Sequence, residues 1–363
     1  MMKQDVFLGT DWIKKIQTVL YDSGSKKPML ICGKHLLQNK DLLDFINHSF
    51  FTVTVFNDFK SNPDYKSAIK AAETILNEKN DFLLAIGGGS AIDVAKCARR
   101  FYGMDLNADC LKQEPRHVDL KLLAAPTTAG SGSEATHFAV LYRDNKKYSV
   151  SGFDMLPDYV LLNPQFLHGL PLYQKKACYL DALCQAVESW WSLKANEESI
   201  AYSKKAIKLL LQNFDSYFFS NNSAFEEVLL GAHYAGRAIN ITTTTAAHAM
   251  SYGLTKRYGL AHGHAVALCM KQVWKHLLLI EEANHKPVLE NIAAAFGCVT
   301  GEEALDKFVS MIKKLGLEQQ EKITAEDLEW LASSVNVQRL NNHPQPLSHE
   351  KLHEMYQQIF YKV

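Results

Sequence analysis

The stretch DFLLAIGGGSAIDVAKCARRFYG, residues 81–103, decides the fold. Its first part is a short continuous apolar run, as in a strand buried on both faces of a parallel sheet. Its second part carries apolar residues at helical spacing. Between them stand Gly87, Gly88, Gly89 and Ser90. Glycines there let the backbone approach a ligand, and the helix that follows offers free N–H groups to an anion. The turn is not the dinucleotide fingerprint GxGxxG, because Ile92 holds the third glycine position. A tight turn without a ligand would read the same way.

Outward from this unit the alternation continues. PMLICG (28–33), TVTVFND (52–58), LKLLAAPTT (120–128) and YVLLNP (159–164) read as further strands, and SAIKAAETILNE (67–78) as a crossover helix. This predicts an α/β domain with a mostly parallel sheet. After Pro164 the texture changes to long amphipathic helical segments, such as residues 173–195 and 198–214. With 363 residues the chain is longer than one core usually supports. We therefore expect an α/β nucleotide-binding domain over residues 1–167 and an all-α domain over 168–363. SNNS, residues 220–223, reads as a loop between helices.

Lys plus Arg number 39 and Asp plus Glu number 39, so the formal charge is zero. No basic stripe with interleaved aromatics is present, which argues against a nucleic-acid partner. The 7 cysteines form no CxxC pair or regular framework and read as reduced thiols of a cytoplasmic protein. The N-terminal residues lack the apolar core of a signal peptide, and no run reaches the roughly 18 apolar residues of a membrane span.

Two further patterns carry chemistry. PTTAGSGSE, residues 126–134, again follows an apolar run and offers hydroxyls and flexible backbone, so two such loops after two strands suggest a pyrophosphate site. Asp181 and Gln185 are i and i+4, which on a helix places both on one face. With His248 and His262 they could complete one divalent metal site. Taken singly, each of the four has an ordinary structural reading as a solvated helix face or a core histidine.

GGGSAIDVAK (87–96), PTTAGSGSEAT (126–136), DALCQAVES (181–189) and HAMSYGLTKRYGLAHG (248–263) stand in the order of the iron-containing alcohol dehydrogenase family, which the chain resembles over nearly its whole length. The resemblance implies a dehydroquinate-synthase-like architecture and a homodimer, with NAD(P) and a metal between the two domains. It implies a pyrophosphate loop at Gly88, Gly89, Ser90 and Asp93, with Thr127, Thr128 and Ser131 toward the nicotinamide and Lys147 near the cofactor. The metal ligands it implies are Asp181, the residue at 185, His248 and His262, with Fe2+ the first expectation and Zn2+ the second.

The chain departs from the family pattern at two points. Gln185 stands where histidine is usual, and Tyr252 stands where many members have a second histidine. An amide oxygen is a neutral, hard and weaker donor than imidazole. At the end of the PMLICG strand, many NAD-preferring relatives place an aspartate. Here Gly33 is followed by Lys34 and His35, which suits the 2′-phosphate of NADP, with NAD the alternative. Tyr252 and His264 are candidate proton relays, each with an equally good structural reading.

Arg237 and Asn240, followed by Thr244 in a threonine run, suit an oxyanion, and His137 adds another potential cation. Arg237 could equally cap a helix or pair with Glu226 or Glu227. ALCQAVESWWS, AGRAIN and YGLAHGHAVAL resemble the phosphonoacetaldehyde reductase subgroup of the family. The expected activity is NADPH-dependent reduction of a small anionic aldehyde, phosphonoacetaldehyde to 2-hydroxyethylphosphonate, with a divalent metal polarising the carbonyl. The alternatives are a general short- or medium-chain alcohol dehydrogenase and a metal-free, catalytically silent nucleotide-binding protein.

Overall fold

The computed structural model describes residues 4–144, 146–220, 223–280, 285–318 and 323–360, so Asn221 and Asn222 of the expected loop lie outside the described residues. The chain divides into two compact units, one comprising Met1–Thr128 and Gly132–Leu170, the other Ala129–Ser131 and Pro171–Val363.

The first unit is built on strands β1 (Asp5–Leu8), β2 (Pro28–Cys32), β3 (Thr54–Phe56), β4 (Phe82–Gly87), β5 (Lys121–Pro126) and β8 (Tyr159–Leu162). They form one sheet in the order β1-β8-β5-β4-β2-β3. Every pairing in it is parallel. Helices α1 (Trp12–Asp22), α2 (Lys40–His48), α3 (Tyr65–Glu78) and α4 (Gly89–Tyr102) make the crossovers. Strands β6 (Phe138–Arg143) and β7 (Lys146–Ser151) form a separate antiparallel hairpin.

The apolar runs are continuous because the sheet is covered on both faces. Leu83 and Ala85 of β4 join Ala68, Ala71 and Ile75 of α3 in one core. Their alternates Phe82, Leu84 and Ile86 join Ile16 and Leu20 of α1 and Phe45 of α2 in the other. Period-two alternation thus feeds two hydrophobic layers. Chain order changes direction between β2 and β4, so Gly33 and the triple glycine end the two strands that flank the switch point, where ligands of open parallel sheets bind.

The second unit is helical among the described residues. Its helices are α5 (Leu172–Trp191), α6 (Glu197–Phe218), α7 (Phe225–Thr242), α8 (Ala246–Tyr258), α9 (His262–Leu278), α10 (Lys286–Ala295), α11 (Gly301–Lys314), α12 (Ala325–Ser333), α13 (Val337–Leu340) and α14 (His349–Phe360). Helix α5 is its centre: every residue from Ala177 to Trp191 is buried. A helix buried all round must hold its polar residues in bonds or against a ligand, and α5 carries Asp181, Gln185 and Glu188. No helix of the described residues is long and apolar enough to cross a membrane.

Candidate functional site

Asp181, Gln185 and Glu188 succeed one another by turns along one face of α5. Glu188, fully buried, organises the next element. Its Oε1 accepts from the backbone N–H groups of Thr245 (3.2 Å), Ala247 (2.9 Å) and His248 (3.3 Å) and from Thr245 Oγ1 (2.7 Å). Helix α8 has no side-chain cap of its own. The carboxylate therefore caps it from another helix, where the positive end of the dipole favours an anion.

The other oxygen of Glu188 bonds His248 Nδ1. That fixes the ring and turns Nε2 toward Asp181 Oδ1, 3.2 Å away. Burial opposes charge on His248, but the Glu188 carboxylate and the bonds from Asp181 and Glu188 outweigh it and push the pKa up to about 10. Glu188 itself is held below the usual carboxylate range: burial works against ionisation, and the charge and bonds of His248 and Thr245 overcome it.

His262 opens α9, and its ring lies 5.4 Å from that of His248. Ligand atoms of Asp181, His248 and His262 lie within 4.8 Å of one another. The close approach of α9 to α5 depends on Gly263, where an added Cβ would stand 2.0 Å from the Ala177 carbonyl oxygen and 2.7 Å from Asp181 Cβ. Gln185 Nε2 donates to the Ser131 carbonyl at 3.3 Å, while its Oε1, fully buried, has no hydrogen-bond partner. A buried acid, two imidazoles and an unsatisfied amide oxygen one helical turn from the acid fit a divalent cation, since orphaned buried acceptors are costly unless something fills them.

Other expected residues have defined places in this unit. Tyr252 stacks flat on His262, with ring centroids 5.7 Å apart and planes at 5°. Its hydroxyl accepts from Arg339 Nη1 at 2.8 Å. His264, two residues past His262, faces elsewhere: Nδ1 meets Tyr173 Oη at 3.0 Å and Nε2 the Leu317 carbonyl at 2.8 Å. The structure thus spends both its ring nitrogens on holding the start of α9. Arg237 donates to Tyr202 Oη at 2.7 Å and lies over that ring. Its expected alternatives Glu226 and Glu227 sit in the first turn of α7, 11 and 10 residues before it along the same helix. Asn240 is half-buried on the same helix, and the Thr244 carbonyl accepts from Asn342 Nδ2 at 3.3 Å.

In the sheet unit, α4 starts at Gly89 without a side-chain cap, and since the Ala91 N–H bonds the Gly88 carbonyl at 3.0 Å, the N–H groups of Gly89 and Ser90 are the ones a helix start offers to an anion. Gly87 is required by packing, because a Cβ there would lie 2.7 Å from that of Ala91. Thr127 N–H donates to the Gly87 carbonyl (2.9 Å), and the Thr128 methyl would lie 3.4 Å from a Cβ on Gly88, so both threonines border the loop. Ser90 Oγ accepts from the Asn62 N–H at 3.2 Å.

Asp93 accepts from Ser133 Oγ (2.5 Å) and Val140 N–H (3.0 Å). Burial raises its pKa against the pull of Lys96, those two bonds and, more weakly, Lys147. Asp93 therefore ties the second glycine-rich loop to the hairpin. Buried Lys96 does the same through Ser133 Oγ, Thr136 Oγ1 and the Phe138 carbonyl. His137 stacks on Phe153, centroids 4.8 Å apart. At the ends of β2 and β3 lies a pocket of about 250 Å³ whose lining includes Lys34, Lys60, Lys66 and Lys70 with Asp58 and Asp64.

Sequence reasoning missed Glu188 and Arg339. Glu188 had one usable signal, a carboxylate one turn beyond Gln185 on the helix face that also carries Asp181.

Comparison with known proteins identifies the family. Residues 3–164 match the family model described as iron-containing alcohol dehydrogenase, and residues 176–360 its C-terminal counterpart. The phosphonoacetaldehyde reductase of Streptomyces viridochromogenes is 31% identical over 82% of this chain and 80% of its own. The 4-hydroxybutyrate dehydrogenase of Clostridium kluyveri is 30% identical over 77% of this chain and 78% of its own. Among solved structures, sulfoacetaldehyde reductase from Bifidobacterium kashiwanohense in complex with NAD+ superposes with a TM-score of 0.91, at 24% identity, over 99% of this chain and 97% of that one. The chain belongs to the iron-containing alcohol dehydrogenase family and is an NAD(P)-dependent oxidoreductase of the alcohol dehydrogenase and aldehyde reductase type.

Proposed function

We propose that the chain reduces a small anionic aldehyde with NADPH, with phosphonoacetaldehyde to 2-hydroxyethylphosphonate as the best single candidate. Asp181, Gln185, His248 and His262 would hold a divalent metal, iron(II) before zinc. The observation that carries this reading is the unpartnered Gln185 Oε1 on the same helix face as Asp181, whose carboxylate lies with His248 and His262 in one cluster. Two relatives support an anionic substrate class, since phosphonoacetaldehyde and 4-hydroxybutyrate both carry an anionic group at the end opposite the reacting carbon.

When bound, such an ion supplies Lewis acidity at a carbonyl oxygen, and reduced nicotinamide supplies hydride to the carbon. The residues do the rest. Asp181 brings the negative charge that a cation needs. Glu188 would keep a proton on His248 Nδ1 while Nε2, the nitrogen facing Asp181, gave up its proton in favour of a bound ion. Gln185 contributes an oxygen without adding charge. Gly88, Gly89 and Ser90 would receive the pyrophosphate at the start of α4, with Thr127, Thr128, Ser131 and Lys147 contributing around the cofactor. Arg237, Asn240, Thr244 and His137 remain candidates for the substrate side.

The preference for NADPH rests on charge. No carboxylate follows β2, and four lysines against two aspartates line the pocket at the ends of β2 and β3, which suits a 2′-phosphate.

Protein purified without oxygen and assayed for metal content and NADPH oxidation tests the whole reading. We expect one divalent ion per chain and a higher kcat/KM for phosphonoacetaldehyde than for propanal or butanal. A preference for the neutral aldehydes would point to a general alcohol dehydrogenase. No metal and no turnover of any aldehyde would leave a silent nucleotide-binding protein.

A further inference from the structure

We propose that Arg339 receives the anionic end of the substrate, an inference that rests on the anionic-aldehyde reading above. Most arginines here are already neutralised. Arg99 pairs with Asp158, Arg100 with Asp154, Arg143 with Asp109 and Arg257 with Asp327. Arg237 and Arg339 are half-buried, and neither has a carboxylate partner among the described residues. Each instead donates to a tyrosine hydroxyl and lies over that tyrosine's ring, at 4.7 Å for Arg237 and 5.2 Å for Arg339.

Their surroundings separate them. The Tyr202 hydroxyl beside Arg237 donates to Glu198 Oε1 at 3.1 Å, and the Tyr202 ring stacks on Tyr234. Arg237 is thus one hydroxyl away from a carboxylate, between α6 and α7. The Tyr252 ring beside Arg339 lies flat on His262. One aromatic ring therefore separates the Arg339 guanidinium from a member of the acid–imidazole cluster.

A guanidinium has five N–H donors in a planar fork, and Tyr252 takes one of them. A phenol oxygen accepts one bond and brings no counter-charge. The fork keeps donors for a phosphonate, sulfonate or carboxylate, which it matches in charge and in shape.

Arg339 is also held in place. Three residues on, buried Asn342 donates through Nδ2 to the Thr242 carbonyl (2.6 Å), Thr243 Oγ1 (3.1 Å) and the Thr244 carbonyl (3.3 Å), and its Oδ1 accepts from Ser192 Oγ at 2.9 Å. These bonds fasten α13 and the turn after it to the α7–α8 turn, which runs directly into the helix bearing His248. They also fix Thr243, a β-branched residue with φ of 58°, a backbone conformation that survives only where neighbours impose it. A cation whose backbone is anchored by buried bonds three residues away, and whose side chain rests on Tyr252, costs a ligand little reorganisation. The substrate would lie with its carbonyl at the cluster, its anion on Arg339 and the Tyr252 ring alongside.

The test compares Arg339→Met and Arg339→Lys with the unaltered holoenzyme on phosphonoacetaldehyde and on propanal. We expect Arg339→Met to lower kcat/KM for phosphonoacetaldehyde roughly 100-fold through KM, with propanal changed less than about threefold, and Arg339→Lys to recover part of the loss. The thermal midpoint of the unaltered protein should rise with 2-hydroxyethylphosphonate, and that of Arg339→Met should not. Tyr252→Phe should keep the ratio of the two aldehydes even where it lowers both rates. Equal losses on both aldehydes, or a collapse of the ratio in Tyr252→Phe as large as in Arg339→Met, would overturn the inference and leave Arg339 as a prop for Tyr252. Unaltered enzyme that prefers propanal would instead overturn the substrate reading itself.

Discussion

The Glu188 carboxylate holds His248 twice, by its backbone N–H and by its ring Nδ1. One buried group therefore both starts the helix and aims the side chain that the helix presents. Replacing Glu188 by Gln keeps the size but loses the charge opposite the imidazole. We expect Glu188→Gln to weaken metal binding about 10- to 100-fold, as measured by competition with a chelator. Unchanged metal affinity would reduce Glu188 to a helix cap.

Gln185 makes two opposite predictions from one atom. Its Oε1 is buried without a partner, so Gln185→Leu should leave the metal-free protein as stable as before or about 1 kcal/mol more stable. The same change should lower metal affinity at least about tenfold, whereas Gln185→His should raise it. If calorimetric titration with iron(II) or zinc gives one affinity for all three proteins, the ligand set ends at Asp181, His248 and His262.

Gly263 sets how near α9 comes to α5. A methyl group there would lie 2.0 Å from the Ala177 carbonyl oxygen, and the obstacle is backbone rather than a flexible side chain. Gly263→Ala is expected to cost about 3 kcal/mol in urea unfolding and to weaken metal binding through displacement of His262. A loss below about 0.5 kcal/mol would show that the two helices separate easily.

His343 gives a pH signature. Burial is the main influence on it: the ring is 2% exposed, with both nitrogens unpartnered, and its pKa falls to about 4 from 6.5. Nearby Glu188 opposes that shift, while His276 and His285 add to it. The folded pKa lies below the unfolded one, so the stabilisation is complete above about pH 6.5 and lost as pH falls toward 4. Over that window the unaltered protein should lose about 3 kcal/mol that His343→Phe does not lose. Urea titrations at stepped pH would show it, and parallel curves for the two proteins would refute it.

The sheet was legible because its central strands are continuous apolar runs, and PMLIC and FLLAIG stand where the periodicity put them. Strand β1 was not legible. It has 4 residues, lies at the sheet edge and is largely exposed, so DVFL carries no alternation to detect. The β6–β7 hairpin escaped for a related reason: its residues are mostly half-buried and its second strand is lysine-rich and polar.

At the site, Asp181 and Gln185 could be paired from helical spacing, but no local rule joins them to His248, 67 residues beyond Asp181. The residue types allow that grouping, and the family resemblance is what singles it out. Spacing marked the position of Glu188 but not its role, because that role lies in five donors that arrive from the start of another helix. Arg339 sits in a four-residue helix beside polar residues and reads as a solvated helix end. Only its pairing with a phenol rather than a carboxylate distinguishes it, and that is visible only in three dimensions.

The N–H groups of Thr245, Ala247 and His248 all end on one oxygen of a side chain borne by another helix. Their exchange with deuterated solvent therefore reports on a tertiary event rather than on helix fraying. Any variant, temperature or denaturant that moves α5 away from α8 will release these amides together, before the rest of α8 unwinds. Three peaks in an exchange experiment can thus monitor the integrity of the centre in a protein without substrate, cofactor or metal.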